Sequence, residues 1–385
     1  MSLKRKAAAI GIGEVRPFRE PGDETALSLM AKVSAEAIAD AGLEKKDIDG
    51  VLNAVPFSDP AGFYPASFCE MIGIEPSMLD IVDIGGAIGT GMFWRAAAAI
   101  DAGMCNAVLC VGGDLNRPGE APFPWISLER EFEWPYGYIA PTLGYAMIAK
   151  RHMHEYGTTS AQLAKIAVDQ RTNALKNPLA RFNDRPLTVD DVLNSRLLAD
   201  PLHIYDIVSP QCGASAFIVV SPEIAKRSKH PPVWLLGAGE SSDHSVISYA
   251  PSITTSCVKP AAEAAFKMAG LKPKDMHFVQ PYDCFTITVL VALEDAGFIK
   301  KGQGGPFVME HDLTYAGDLP CNTHGGQLSF GQAGFAGGMS HVTEGIRQLM
   351  GRGEGRQVKN ASVGFVNGNG GVMSEQCSII LERQS

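Results

Sequence analysis

The chain has 385 residues, 45% hydrophobic and 19% charged, enough for one large or two medium domains with proper cores. Its net charge of −9 leaves no basic footprint for nucleic acid, and no apolar run reaches the length of a membrane span. The eight cysteines, at 69, 105, 110, 212, 257, 284, 321 and 377, form no CxxC pair and no zinc spacing, so reduced thiols in a cytoplasmic protein and no metal site are expected.

In chain order, "MSLKRKAAAIGIGEVRPF" imitates a signal peptide, but Glu14 and Arg16 arrive too soon and "AAAIGIG" reads as a first core strand. An apolar-periodic helix follows over 24–41, with Gly42 as its C-cap, and then a short strand "VLNAV". At 82–94, "VDIGGAIGTGMFW" reads as a strand running through a glycine corner into a helix. Such corners usually present a nucleophile or a ring of N–H groups, yet Gly85 and Gly86 stand here, with no Ser, Cys, Thr or Lys between Asp83 and Thr90. The strand "AVLCVGGDLN" comes next. Residues 119–205 then break the pattern with Pro122, Pro124, the aromatic "FEWPYGY" and a helical "TTSAQLAKIAVDQRTNALKN".

The second part repeats the first. "LLGAGES" at 235–241 matches "AIGIGEV" at 9–15, and "AGLKPKDMHFV" at 269–279 matches "AGLEKKDIDGV" at 41–51, each after a helix (259–269 in the second copy). A second Gly-Gly corner opens "HGGQLSFGQAGFAGGMSHVTEGI". Repeated strand–helix–strand units predict a mostly parallel, buried sheet covered by helices. Two such halves, 1–232 (with an inserted loop domain at about 119–205) and 233–385, give an α/β αβαβα sandwich of five layers. The two Ala/Gly-rich corner helices form its thin middle layer.

With its insertion and duplicated halves, the chain resembles the thiolase superfamily over nearly its whole length. "AVLCVGGDLN", "YGTTSAQLAKIAVDQRTNA" and "CGASAFIVVSPEIAKR" look like family segments, and "PYDCFTITVLVALEDAGF" is very similar to the His-Asp-Cys-Phe segment of sterol-carrier-protein-type thiolases. The resemblance places the family's nucleophilic Cys on Gly86 and its thioester-polarising Asn or His on Tyr282. Its Gly-His-Pro histidine falls on Gln332 and its acid/base Cys on Asn367. Thiolysis needs a thiolate and a base, and neither Gly nor Gln serves. The missing side chain at Gly86 is expected to leave room for an acyl group.

What remains is an oxyanion site for a thioester enolate. Its expected members are backbone N–H groups at Gly86, Gly325, Gly326 and Gly370 with the amides of Gln332 and Asn367. Tyr282 would act as a base if its pKa were lowered. His324 is the best-placed proton carrier near neutral pH, with Asp283 orienting and Cys321 (or Cys284) as a nearby thiol. Trp134 and Tyr136 would cover a pantetheine tunnel. The chain also resembles lipid-transfer-protein-type aldolases of steroid side-chain degradation, which lack the thiolase cysteines, use tyrosines and pair with a protein carrying an OB-fold and zinc ribbon. Phe330 and Phe335 stand near tyrosine positions of that group.

Three readings follow: non-covalent (retro-)aldol chemistry on an acyl-CoA in lipid or steroid-type degradation, an acetyl-CoA acetyltransferase-like acyltransferase using another cysteine, and a non-catalytic acyl-CoA or lipid-binding subunit. Coenzyme A thioester is expected as substrate, with no permanently bound cofactor. A homodimer is implied, through a family strand corresponding to "AVLCVGG".

Overall fold

The computed structural model describes residues 2–60, 62–116 and 131–383, the side chain of Phe335 excepted; Pro122 and Pro124 of the insertion lie outside the described residues. β1 (Ala8–Glu14) leads through α1 (Ala26–Ala41) to β2 (Gly50–Asn53), and α2 (Tyr64–Ile72) to β3 (Met78–Ile81). The first glycine corner opens α3 (Ile88–Asp101), which returns as β4 (Ala107–Asp114). Next come α4 (Pro141–Tyr156), α5 (Ser160–Ala174), a small hairpin of β5 (Leu197–Ala199) and β6 (Leu202–His203), and β7 (Gly213–Val220). The repeat runs through β8 (Val233–Ser242), α6 (Val258–Ala269), β9 (Phe278–Pro281), α7 (Thr286–Asp295), α8 (Gly326–Phe330), α9 (Met339–Leu349), β10 (Val363–Gly370) and β11 (Glu375–Arg383).

One nine-stranded sheet carries both halves in the order β3-β2-β4-β7-β1-β8-β11-β10-β9. The halves join where Ala8 and Ala9 pair with Trp234 and Val233. From that seam they fold over a shared middle layer: α3 and α9 touch each other and strands of both halves. Ile88, Met92 and Phe93 of α3 share one buried core with Val342 and Ile346 of α9, Val108 and Val219 of the first half, and Val366 and Ile379 of the second. On the outer faces, α1 covers β1, β4 and β7, and α6 covers β8 and β11. These are the five layers of the αβαβα sandwich.

The repeated Gly-x-Gly is a packing device used twice. Side chains at Gly11 and Gly13 would run into the Ala37 and Val33 carbonyls of α1, and side chains at Gly237 and Gly239 into the Ala265 and Ala261 carbonyls of α6. Each glycine pair lets a helix lie directly on a strand backbone, so the motif is steric and not phosphate-binding.

Two expectations are corrected. Parallel pairing is confined to β2 with β3 and β4, and to β9 with β10. The pairs β1–β7, β4–β7, β8–β11 and β10–β11 are antiparallel, so the sheet is mixed and not mostly parallel. β11 turns back beside β10 through a tight turn at 371–374, and β7 returns beside β4 after the long insertion. Neither connection is a helical crossover to a parallel neighbour. The second correction concerns "AVLCVGG". It is β4, buried throughout and paired on both sides by β2 and β7, so it offers no edge for a dimer. The open edge of the first half is β3, whose Leu79 and Ile81 are each 40% exposed.

Candidate active site

Strand β9 ends at Pro281, and the next two residues send their side chains into different glycine corners. Tyr282 enters the first. Gly85 has φ 55° and lies so close to the end of β10 that a Cβ there would stand 2.8 Å from Gly370 Cα. A Cβ on Gly86 would collide with the Tyr282 ring, and one on Gly338 with the Gly86 carbonyl. The vacancy expected at residue 86 is therefore filled. A tyrosine ring stands where a side chain at that position would project, which corrects the idea of free room for an acyl group.

Tyr282 is 5% exposed, and its backbone N–H donates to the Asn367 carbonyl at 2.9 Å. Its hydroxyl accepts from Gln332 Nε2 at 3.2 Å and is also hydrogen-bonded by the Gln327 amide. Burial pushes this phenol well above its ordinary value and the neighbouring Cys284 adds to the shift, while the two amides pull less strongly the other way. Tyr282 thus keeps its proton. It is equipped to donate a hydrogen bond and not, as the base reading required, to remove a proton.

Asp283 enters the second corner. Its Oδ1 accepts from the Gln327 N–H at 2.8 Å and its Oδ2 from the Leu328 N–H at 3.2 Å. Gly325 and Gly326, at φ 109° and 58°, give the backbone shape that allows this, and a Cβ on Gly326 would collide with the carboxylate. The helix N-terminus is an anion site whose anion is the protein's own. Gly325 and Gly326 therefore frame Asp283, which corrects their assignment to a substrate oxyanion.

Around Asp283 lies a buried cluster. His341 Nε2 is 3.0 Å from Asp283 Oδ1 and 3.2 Å from the Gln327 amide nitrogen. His324 lies edge-on to His341, ring centroids 4.9 Å apart, and its Nε2 is 3.3 Å from Ser340 Oγ. Both imidazoles are 1% exposed. Burial, reinforced by His341, holds His324 well below the usual imidazole range. The sequence suggested a proton carrier, and this setting disfavours its charged form. Burial raises Asp283 above the ordinary carboxylate value, although His341 and the two backbone N–H groups oppose the shift.

The remaining expected residues divide. Gln332, half-buried, reaches Tyr282, and Gly370 abuts the first corner. Asn367 does not join: its Nδ2 donates to Ser378 Oγ at 3.2 Å, and only its backbone carbonyl meets Tyr282. All eight cysteines are buried, and none is joined in a disulfide. Burial pushes Cys284 up to about 12 and Cys321 well above its ordinary value, so neither is a nucleophile. Trp134 and Tyr136 sit in a short surface turn, Tyr136 89% exposed. Two side chains were missed, His341 and Gln327. No local pattern marks the first, because the helix face that carries His341 also carries Glu344 and Gln348 at i+3 and i+7.

The comparisons with known proteins bear on this geometry. A thiolase C-terminal domain-like family matches residues 239–383. The chain is 34% identical over 374 residues to a steroid side-chain-cleaving aldolase of Thermomonospora curvata, covering 91% of this chain and 92% of the relative. The chain belongs to the thiolase superfamily, in its sterol-carrier-protein-type branch. It is also 32% identical over 374 residues to an acetyl-CoA acetyltransferase of Methanothermobacter thermautotrophicus, covering 95% and 97%. A solved structure titled Ltp2-ChsH2(DUF35) aldolase superposes with a TM-score of 0.90 at 31% identity over 99% of this chain and 98% of that one. Among these thiolase-fold proteins, this chain carries a glycine, a proton-holding tyrosine and a glutamine at the positions that the resemblance gives to the first Cys, the polarising residue and the histidine.

Proposed function

We propose that the protein is a C–C lyase acting on acyl-CoA thioesters, cleaving a 3-hydroxyacyl-CoA by a retro-aldol step without a covalent intermediate. The observation that carries this reading is the Tyr282 ring standing in the side-chain space of Gly86. No thiol can attack from there, and a neutral hydroxyl takes its place. In the forward step a base removes the proton of the β-hydroxyl, and the Cα–Cβ bond breaks. The β-carbon leaves as a carbonyl compound (an aldehyde where it carries a hydrogen, a ketone where it does not), and the bonding pair moves into the thioester as an enolate. The Tyr282 O–H faces the enolate oxygen, a contribution of about 3–4 kcal/mol for a preorganised donor. Cα then takes back one proton, giving a shorter acyl-CoA, so atoms and charge balance.

Support comes from the relative named as a steroid side-chain-cleaving aldolase and from the aldolase title of the superposing structure. The acyltransferase reading, which the Methanothermobacter relative's name suggests, would need a reactive thiol, and both candidates are buried and pushed up by burial. Coenzyme A thioester is substrate here, not a resident cofactor. We further propose a homodimer, for which β3 is the free sheet edge, and a partner with an OB-fold and zinc ribbon, in keeping with the DUF35 component in that title. Eight buried cysteines with no disulfide among them support a cytoplasmic place.

The test is turnover by the purified protein, with and without such a partner, of matched 3-hydroxyacyl-CoA and 3-oxoacyl-CoA esters. Cleavage of the hydroxy ester to an aldehyde and a shortened acyl-CoA, with no free coenzyme A, is expected. Coenzyme-A-dependent thiolysis of the oxo ester would contradict the reading.

A further inference from the structure

The retro-aldol reading, on which the following rests, leaves the base unassigned. Tyr282 is a proton holder, and His324 is occupied on one side. The Ser340 hydroxyl donates to the Gly337 carbonyl at 2.8 Å, so toward His324 Nε2 it can only accept, which puts the His324 proton on Nε2. His324 Nδ1 is, like that of His341, without a partner among the described residues, but no carboxylate is hydrogen-bonded to its ring: Glu344 acts on it only through space and is itself tied to Arg347 and Arg356.

His341 is built differently. Asp283 Oδ1 already accepts one backbone N–H and Oδ2 another, the bonding of an acceptor carboxylate, so the proton of the 3.0 Å contact sits on His341 Nε2, and the Gln327 amide beside it at 3.2 Å turns its oxygen and not its NH2 toward that N–H. His341 Nδ1 is then a bare lone pair, and among the described residues it has no hydrogen-bond partner although the residue is 1% exposed. A buried acceptor left bare is costly unless a ligand supplies a donor. The ring is 5.9 Å, centroid to centroid, from Tyr282, so base and acid stand on one small site. The other charged or titratable groups nearby are His324, edge-on, and Glu344 one turn along α9, tied to Arg347 and Arg356.

We propose that His341 is the catalytic base that takes the β-hydroxyl proton on Nδ1, and that Asp283 is its positioning residue, itself fixed by the N-terminus of α8. The ordering is carboxylate, imidazole, substrate hydroxyl, the logic of a hydrolytic triad with the nucleophile removed. Proton flow closes: Nδ1 gains the hydroxyl proton as the C–C bond breaks, and the imidazolium, stabilised by Asp283, returns it to the enolate carbon. Asp283 therefore matters only through His341.

Three measurements test this. His341→Gln should lower kcat by about 10²–10⁴-fold with little change in KM, whereas His324→Gln should cost less than about tenfold. Retention of a tenth of kcat by H341Q, or a larger loss in H324Q, would overturn the assignment. Asp283→Asn should move the acid limb of the kcat/KM profile to lower pH, because the imidazolium loses its counter-charge. An unmoved limb with lost activity would mark Asp283 as structural and overturn its role. Should the variants fail to fold, long-range ¹H–¹⁵N NMR on histidine-labelled wild-type protein decides: an Nε2–H tautomer for His341 is required, and an Nδ1–H tautomer excludes it as the base. That reading needs no turnover, so it stands or falls apart from the choice of substrate.

Discussion

The two glycine corners share a sequence pattern and do opposite things. The first, at Gly85–Gly86, is an apolar crossing of backbones into which a tyrosine ring is pressed. The second, at Gly325–Gly326, is a polar nest closed on a carboxylate and backed by buried charge. Beside it Thr323 donates to Glu344 Oε1 at 2.7 Å, and Glu344 is paired with Arg356 and Arg347. One dipeptide, Tyr282–Asp283, plugs both corners because consecutive side chains leave the strand end in different directions. A glycine corner therefore does not announce a substrate site; what matters is which side chain of the protein reaches it.

The charge behind the second corner gives the largest predicted effect. Burial pushes Glu344 up, but Arg356 and Arg347 overcome it and hold the carboxyl well below the usual range. Glu344→Gln should cost about 3–5 kcal/mol in urea unfolding, since it strands buried guanidinium groups. A carboxyl lowered in the folded state stabilises above its unfolded pKa, and that share is lost as pH falls through the folded value. The wild type should thus lose more stability on acidification than the variant does. Equal acid sensitivity would mean that the second corner does not lean on this cluster.

Gly326→Ala should cost about 2–4 kcal/mol, because it combines a left-handed backbone with a Cβ driven into Asp283. At the first corner, Gly86→Ala should cost about 1–3 kcal/mol by overpacking. A double-mutant cycle sharpens the contrast: Tyr282→Ala should relieve Gly86→Ala by more than about 1 kcal/mol and leave Gly326→Ala unrelieved. Additive behaviour at Gly86 would show that the ring does not own that space. The smallest effect belongs to the thiols: Cys284→Ala and Cys321→Ala should each keep kcat within about threefold, as expected of buried small hydrophobes.

Much of the fold was legible in the sequence, because duplication doubles every signal. The two Gly-x-Gly strands, the Gly42 and Gly270 helix ends and the two corners each supported the other. Strand direction was not, since β7 and β11 follow connections whose return path no local pattern encodes. Within the site, Tyr282 and Gln332 were reachable by position, but Asn367 was not: strand side chains alternate faces, so a register doubtful by one residue reverses which way an amide points. His341 was hidden because a histidine inside a helix looks like ordinary core until the strand end that brings Asp283 to it is placed. The state of Tyr282 was the deepest miss. Only its burial decides the condition placed on it, because the shift runs upward and not downward.

Intact-mass analysis of the protein during turnover of a 3-hydroxyacyl-CoA tests the central claim most directly. The account predicts carbonyl product and shortened acyl-CoA accumulating while the protein mass stays unchanged at every time point. An acyl-sized mass increment that forms and decays at the rate of turnover would contradict it.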